Sequence, residues 1–304
     1  MAIRKRAALL LSLALLIGIF ASACNTATSP TTSSKTINVV AAENFYGDIV
    51  KQLGGSNVSV TSILSDPNVD PHLYQSNFQD TKALKNADLV IKNGDGYDNW
   101  IDQLLSAQPN THRTVFTAAD MANHKLPDNE HYWYGIDNVQ TIAKAITTTL
   151  KKLDGTDAST FDSNLTTFLN SLNTLQQKIT GLKAKYSGTP VGLTETIYLY
   201  QTQPIGLNVL TPLEFEKAVA EGNDPPADTV TAANDQVTKK QIKVLIYNEQ
   251  ATEPITTNLQ TAAKSLNIPI VPVTETMPPG KTYQTWMMGQ LNTLQQALAT
   301  ATGK

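Results

Sequence analysis

The chain is poor in cysteine, in arginine and in charge altogether. Its 304 residues include one cysteine, Cys24, so no intramolecular disulfide and no Cys-based metal site can form. Arginine is confined to Arg4, Arg6 and Arg113, and charged residues make up 16% of the chain. The 23 Lys+Arg against 26 Asp+Glu give a formal net charge of −3. Three of the cations, Arg4, Lys5 and Arg6, crowd into the first 23 residues, where no acid stands. The body that follows is mildly acidic and lacks clustered positive charge, which excludes nucleic acid as a partner. Hydrophobic residues amount to 41%, too many for a disordered chain and too few for a multispanning membrane protein. The body is long for one core and suits two domains.

The N-terminus reads as an export signal over residues 1–23. A basic start is followed by the apolar run Ala7–Phe20 and the small residues Ala21-Ser22-Ala23. That run is shorter than the roughly 20 residues a helix needs to cross a bilayer. Ala21-Ser22-Ala23-Cys24 resembles the lipobox of bacterial lipoproteins, although that pattern usually has Leu where Ala21 stands. The resemblance implies a lipid on Cys24. Residues 25–35 (NTATSPTTSSK) are too polar to form a core and read as a flexible tether. These segments place the protein outside the cytoplasm, anchored to a bacterial cell membrane.

From Thr36 short apolar runs alternate with helix-period stretches. Strands are expected at Ile37–Val40, Val58–Leu64, Leu89–Ile91 and Thr114–Thr117, with Val58–Leu64 half exposed. Between them lie a helix over Phe45–Leu53 ending at Gly54-Gly55, one over Phe78–Asn86, and one over Tyr97–Ala107. Helix Asp137–Leu153 comes next. Ala158–Tyr186 then carries Phe161, Leu165, Phe168, Leu172, Leu175, Ile179 and Leu182 on one stripe. At about 1.5 Å per residue this helix runs some 40 Å, enough to bridge two domains. Strands at Val191–Thr194, Leu207–Leu210, Val244–Tyr247 and Ile268–Val273 follow, with helices around Ala227–Lys240 and Pro254–Leu266 and a terminal helix bearing Met287, Leu291, Leu294 and Leu298. The expected fold is α/β: two lobes of mainly parallel sheet flanked by helices, joined by one long helix. The lobes are expected at 36–155 and 188–304, with 156–187 between them.

Ligands of open α/β sheets bind beyond the carboxyl ends of the strands. Four chemistry-bearing residues stand at such ends. His72 sits in Asp70-Pro71-His72-Leu73-Tyr74, a Pro-fixed loop, and His131 just precedes the Asp137 helix. Glu195 and Glu275 each end a strand of the second half. Two imidazoles and two carboxylates suit a mixed N/O metal site. A lone loop histidine is more often a surface residue, and His112 and His124 are read that way. A strand-end glutamate is commonly solvated, and no compact motif such as His-Glu-x-x-His occurs. Gly94 and Gly96 form a turn rather than a nucleotide loop. Met277, Met287 and Met288 are read as core, not as a copper site, and Tyr132-Trp133-Tyr134 as packing.

Val69–Tyr74, Glu130-His131-Tyr132-Trp133-Tyr134, Thr194-Glu195 and Thr274-Glu275 resemble the four ligand segments of the zinc/manganese-type (cluster A-I, or cluster 9) substrate-binding lipoproteins of bacterial ABC transporters. The likeness runs from Ala41-Ala42-Glu43-Asn44-Phe45 to Tyr283–Met287. It includes Asn93–Trp100 and Phe215–Pro226. It implies one divalent ion in the cleft between the lobes, held by His72 and His131 from the first and by Glu195 and Glu275 from the second. It also implies an ABC permease as partner. The sequence departs from the family pattern in several places. Zinc-specialised members often have a third His where Glu195 stands, many members have Asp where Glu275 stands, and Pro is usual at Glu130, a change able to move His131. The His/Asp-rich loop of some zinc binders is absent.

Such a His₂Glu₂ set suits Mn²⁺ and also Zn²⁺, and its two carboxylates cancel the charge of the ion. The expected protein is a monomeric, membrane-tethered receptor with small lobe movements, the ion being cargo. The alternatives are a secreted zinc-dependent hydrolase, with Glu43 or Glu249 as base, and a metal-dependent surface adhesin. A catalytic zinc keeps an open position for water, whereas here all four matched residues are committed to coordination.

Overall fold

The computed structural model describes residues 36–304 apart from Asp70 and Thr252, so the export signal, Cys24 and the tether lie outside the described residues. Four parallel strands form the first sheet: β1 (Ile37–Glu43), β2 (Val58–Leu64), β3 (Leu89–Lys92) and β4 (Thr114–Thr117), in the order β2-β1-β3-β4. Helices α1 (Asn44–Gly54), α2 (Phe78–Leu84) and α3 (Asn99–Ala107) connect them, as parallel pairing requires a crossover between neighbours. Then come α4 (Ile136–Leu153) and the 29-residue α5 (Ala158–Tyr186). The second sheet has the order β6-β5-β7-β8, from β5 (Pro190–Leu193), β6 (Asn208–Val209), β7 (Val244–Asn248) and β8 (Ile270–Val273). Its helices are α6 (Leu199–Ile205), α7 (Leu213–Ala220), α8 (Ala227–Thr238), α9 (Pro254–Ser265) and the terminal α10 (Tyr283–Thr302).

Central strands covered on both faces read as unbroken apolar runs, and Leu89-Val90-Ile91 and Val244-Leu245-Ile246 are fully buried. Their alternate residues serve different cores. Val39, Ala41, Leu89 and Ile91 of the first sheet, and Val191, Leu193, Val244, Ile246, Val271 and Val273 of the second, enter one continuous cluster with α1, α4, α5 and α10. Val40, Ala42 and Val90 face a smaller cluster with α3, and Leu245 faces another with α7, α8 and α9. The long helix therefore packs on both lobes, against α1, α4, α6 and α10. It has several partners rather than the one matching helix of a coiled coil.

Several expected boundaries move. β1 continues through Ala41 and Ala42 to Glu43, because its pairing with β2 runs on to Leu64. Tyr97 lies in a turn, since Asp98 precedes the first residue of α3. The strand expected at Leu207–Leu210 shrinks to a two-residue edge, and the one expected from Ile268 begins at Ile270. Helices α6 and α7 have no counterpart in the sequence reading. Pro204 lies inside α6, and α7 is eight residues long. Both are stabilised by packing more than by periodicity.

Candidate metal centre

His72, Glu195 and Glu275 follow strands β2, β5 and β8, and His131 lies in the long connection between β4 and α4. After β2, Pro71–Leu73 form a 3-10 turn in which buried Pro71 fixes the approach of His72. His131 precedes another such turn, Tyr132–Tyr134, which leads into α4. Behind these rings, Trp133 stacks on Phe45 with centroids 4.3 Å apart, and Tyr97 meets the His72 ring edge-on at 5.0 Å. Glu275 follows β8, its backbone N–H donating 2.6 Å to Gln250 Oε1. Glu195 follows β5 and caps the turn Thr196–Tyr198, its Oε2 accepting the Ile197 N–H at 2.8 Å.

The two lobes thereby bring three ligand atoms together, one each from His72, His131 and Glu275, all within 4.8 Å of one another. His72 Nε2 lies 3.5 Å and His131 Nε2 3.9 Å from Glu275 Oε2. Among the described residues no other trio of His, Cys, Asp or Glu converges in this way. Glu130 does not displace His131 from the group. Its own Oε1 comes to 3.8 Å from His72 Nε2, a neighbour the sequence reading did not foresee. Glu195 stands outside the trio, fully buried, with Oε1 lacking a hydrogen-bond partner. A cavity of about 270 Å³ beside the trio is lined by Asn68, His72, Asn248, Gln250 and Glu275. His112 and His124 are exposed, while Met277 and Met287 belong to the central cluster, with Met288 packed against it.

The surrounding groups set the protonation states. Asn129 Nδ2 donates to the Thr196 carbonyl at 2.8 Å, leaving Oδ1 as an acceptor 3.0 Å from His131 Nδ1. The proton of His131 therefore resides on Nδ1, and Nε2 turns a lone pair toward Glu275. Burial, with His72 nearby, holds the His131 pKa well below the usual imidazole range, so the ring is neutral. Burial first, then the charge of Glu275, pushes Glu195 well above the usual carboxylate range. Burial likewise raises Glu130. Glu275 itself is held from both lobes: Tyr97 Oη donates to Oε2 at 3.0 Å and Asn248 Nδ2 to Oε1 at 2.6 Å. Acids crowded in a dry site cannot all ionise unless a cation joins them.

Residues 39–297 match the family model described as zinc-uptake complex component A, periplasmic. The chain belongs to this family. Its members are the metal-binding, substrate-binding components of ABC importers, and the hydrolase and adhesin readings find no support in it. The chain is similar to the manganese ABC transporter substrate-binding lipoprotein scaA of Streptococcus gordonii, with 24% identity over 95% of this chain and 98% of that relative. In structure it is similar to the periplasmic zinc-binding protein TroA from Treponema pallidum (TM-score 0.73, 18% identity, 87% of this chain and 99% of that one). It is similar also to FpvC from P. aeruginosa in complex with Ni²⁺ (TM-score 0.73, 18% identity, 89% and 99%). For the zinc-uptake family, two parallel-sheet lobes with donors between them are the expected frame. Tyr97, Asn129, Asn248 and Gln250, which support those donors, escaped the sequence reading. Asn93–Trp100 figured in the family likeness, but nothing local marks Tyr97 as a partner of Glu275, 178 residues away.

Proposed function

We propose that the protein captures a single Zn²⁺ or Mn²⁺ ion outside the cytoplasm and delivers it to the permease of an ABC importer, without catalysing a reaction. The observation that carries this reading is the meeting of His72, His131 and Glu275 across the lobes, each offering a ligand atom within 4.8 Å of the others. Glu195 completes the set as fourth ligand when the ion draws its carboxylate in and releases its proton. Two imidazoles and two carboxylates accept both ions. Zn²⁺ stands above Mn²⁺ in intrinsic affinity, so availability outside the cell, rather than site chemistry alone, decides the cargo. The names of the similar proteins, with manganese, zinc and nickel among them, fit such a donor set.

The same reading takes residues 1–23 as a cleaved signal, Cys24 as the lipid-bearing residue, and 24–35 as the tether of a monomer. It takes 36–155 and 188–304 as lobes linked through 156–187. No helix among the described residues is long and apolar enough to cross a membrane. The test is elemental analysis of protein purified from its native membrane, paired with calorimetric titration of the metal-free form. One ion of Zn²⁺ or Mn²⁺ per chain is the expected result. Protein that carries no metal and takes up neither ion would overturn the proposal.

A further inference from the structure

Glu43 ends β1 and is completely buried, and the one N–H that acts on its carboxyl is its own backbone amide. The group in hydrogen-bonding reach is another buried carboxyl, that of Asp98. Asp98 is 1% exposed, and both its oxygens are engaged by backbone: Oδ1 accepts the Gly94 N–H at 2.8 Å and Oδ2 the Asn93 N–H at 2.6 Å. Two carboxyls can hydrogen-bond only with a proton between them. Burial raises both carboxyls, Glu43 well above the usual carboxylate range, and the two amide donors oppose the rise at Asp98, so the shared proton belongs to Glu43. Lys92, whose Nζ is bound to Asp102 at 2.6 Å, is the cation that acts on the pair.

Asp98 is the anchor of an uncommon turn. Gly94, Asp95 and Gly96 have φ of 87°, 51° and 96°, three successive residues in the left-handed region. A Cβ at Gly94 would lie 2.4 Å from Thr117 Cγ2. Such a backbone persists only where its surroundings hold it. The holding bonds are those of Asp98, the Tyr46 hydroxyl donating 2.7 Å to Asn93 Oδ1, and Asn93 Nδ2 donating 3.0 Å to the Glu130 carbonyl. The turn ends by delivering Tyr97, whose hydroxyl meets Glu275 across the cleft.

We infer that Glu43 is a positioning residue of the metal site: as a neutral acid donating to Asp98, it holds the 93–98 turn that sets Tyr97 against Glu275. The inference rests on the receptor reading above and adds to it a buried proton that no ligand carries. Glu43 touches no ion. It acts through Asp98 and Tyr97 on the direction in which the Glu275 carboxylate faces the imidazoles.

The experiment titrates Zn²⁺ and Mn²⁺ into the metal-free full chain and its variants by calorimetry. Glu43→Ala is expected to weaken binding by about tenfold or more, as for other groups that orient a ligand, and Glu43→Gln, which keeps a donor toward Asp98, to restore it within about twofold. The double variant Glu43→Ala/Tyr97→Phe should bind no worse than Tyr97→Phe alone, because both act through one contact. Unchanged affinity in Glu43→Ala, or losses that add in full, would overturn the inference. Should Glu43→Ala fail to fold, infrared difference spectra of wild type against the isosteric Glu43→Gln decide the matter. Loss of a protonated-carboxyl carbonyl band supports the inference, and loss of carboxylate bands overturns it. His72→Ala serves as the control. If it binds the ion as tightly as wild type, the site reading itself has failed, whereas the infrared result does not depend on where the ion sits.

Discussion

Asn129 grips the residue that bears the site's most buried imidazole at two points: its Oδ1 accepts the His131 backbone N–H at 3.1 Å and faces the ring Nδ1 at 3.0 Å. One side chain thus fixes where His131 sits and which nitrogen it turns to the cleft. Its amide is held in turn by the Thr196 carbonyl, one residue beyond Glu195. Replacing Asn129 by Ala frees the ring to rotate and change tautomer. We expect metal affinity to fall by about 10- to 100-fold, the range found for partners that orient metal-bound histidines. Calorimetric titration measures the loss. An Asn129→Ala protein that binds like wild type would show that the ring is held by packing alone.

His72→Ala and Glu275→Ala should each abolish stoichiometric tight binding of Zn²⁺ and Mn²⁺ while leaving the metal-free fold intact, since both residues lie at strand ends rather than in the apolar clusters. In wild type, an ion at about a thousand times its dissociation constant adds about 4 kcal/mol to unfolding stability. Thermal melts with and without a chelator read this difference. The chelator-sensitive part of the melting temperature should vanish in both variants. A double variant that keeps its chelator response would mean that the ion is held elsewhere.

Glu216 is buried in α7 with neither carboxyl oxygen hydrogen-bonded, and burial alone drives its pKa well above the usual carboxylate range. An unfolded Glu titrates near about 4.3. A folded-state pKa raised above that value means that the native state holds the proton more tightly. The stability contribution is then complete below the unfolded value and is lost as pH rises through the raised folded value. Glu43 and Glu195 are shifted in the same direction. The metal-free protein should therefore melt at progressively lower temperature as pH rises above about 4.3 toward the raised folded-state value, and Glu216→Gln should flatten the decline. A variant with the wild-type slope would exclude Glu216 as a contributor.

Ion binding should move the lobes little. Both sheets turn one face into a single apolar cluster shared with α5 and α10, so a wide opening would expose core surface. Tyr134 Oη, donating to the Thr274 carbonyl at 2.7 Å, and Tyr283 Oη, donating to the Trp133 carbonyl at 2.7 Å, tie the halves beneath the site. Small-angle scattering should give the same radius of gyration with and without metal. Amide exchange should slow chiefly around residues 66–76 and 93–98. A clear contraction on metal addition would contradict this picture.

Much of the fold was legible because periodicity is a local property. The apolar runs of β3 and β7 and the stripe of α5 appear in structure where their spacing placed them. Failures fell where local signal and tertiary context part. The polar, Pro-containing α6 and the two-residue β6 depend on what packs beside them, and Tyr97 belongs to a turn set by Asp98 rather than to the helix after it. Of the site, the four candidate donors were readable from residue type and strand-end position. The supporting Asn129, Asn248 and Gln250 were not, since an amide side chain has no sequence signature that says whether it will be buried against a ligand.

By itself the sequence determined which candidate donors exist and that none of them is a thiol, because these depend on composition and near-neighbour pattern. Only the tertiary structure decided that His72, His131 and Glu275 meet, that Glu195 stands just outside their group, and that Glu130 approaches His72. Those outcomes turn on ångström-scale distances between residues up to about two hundred positions apart. Such distances are set by how the shared core seats one sheet against the other, which no stretch of a few residues encodes.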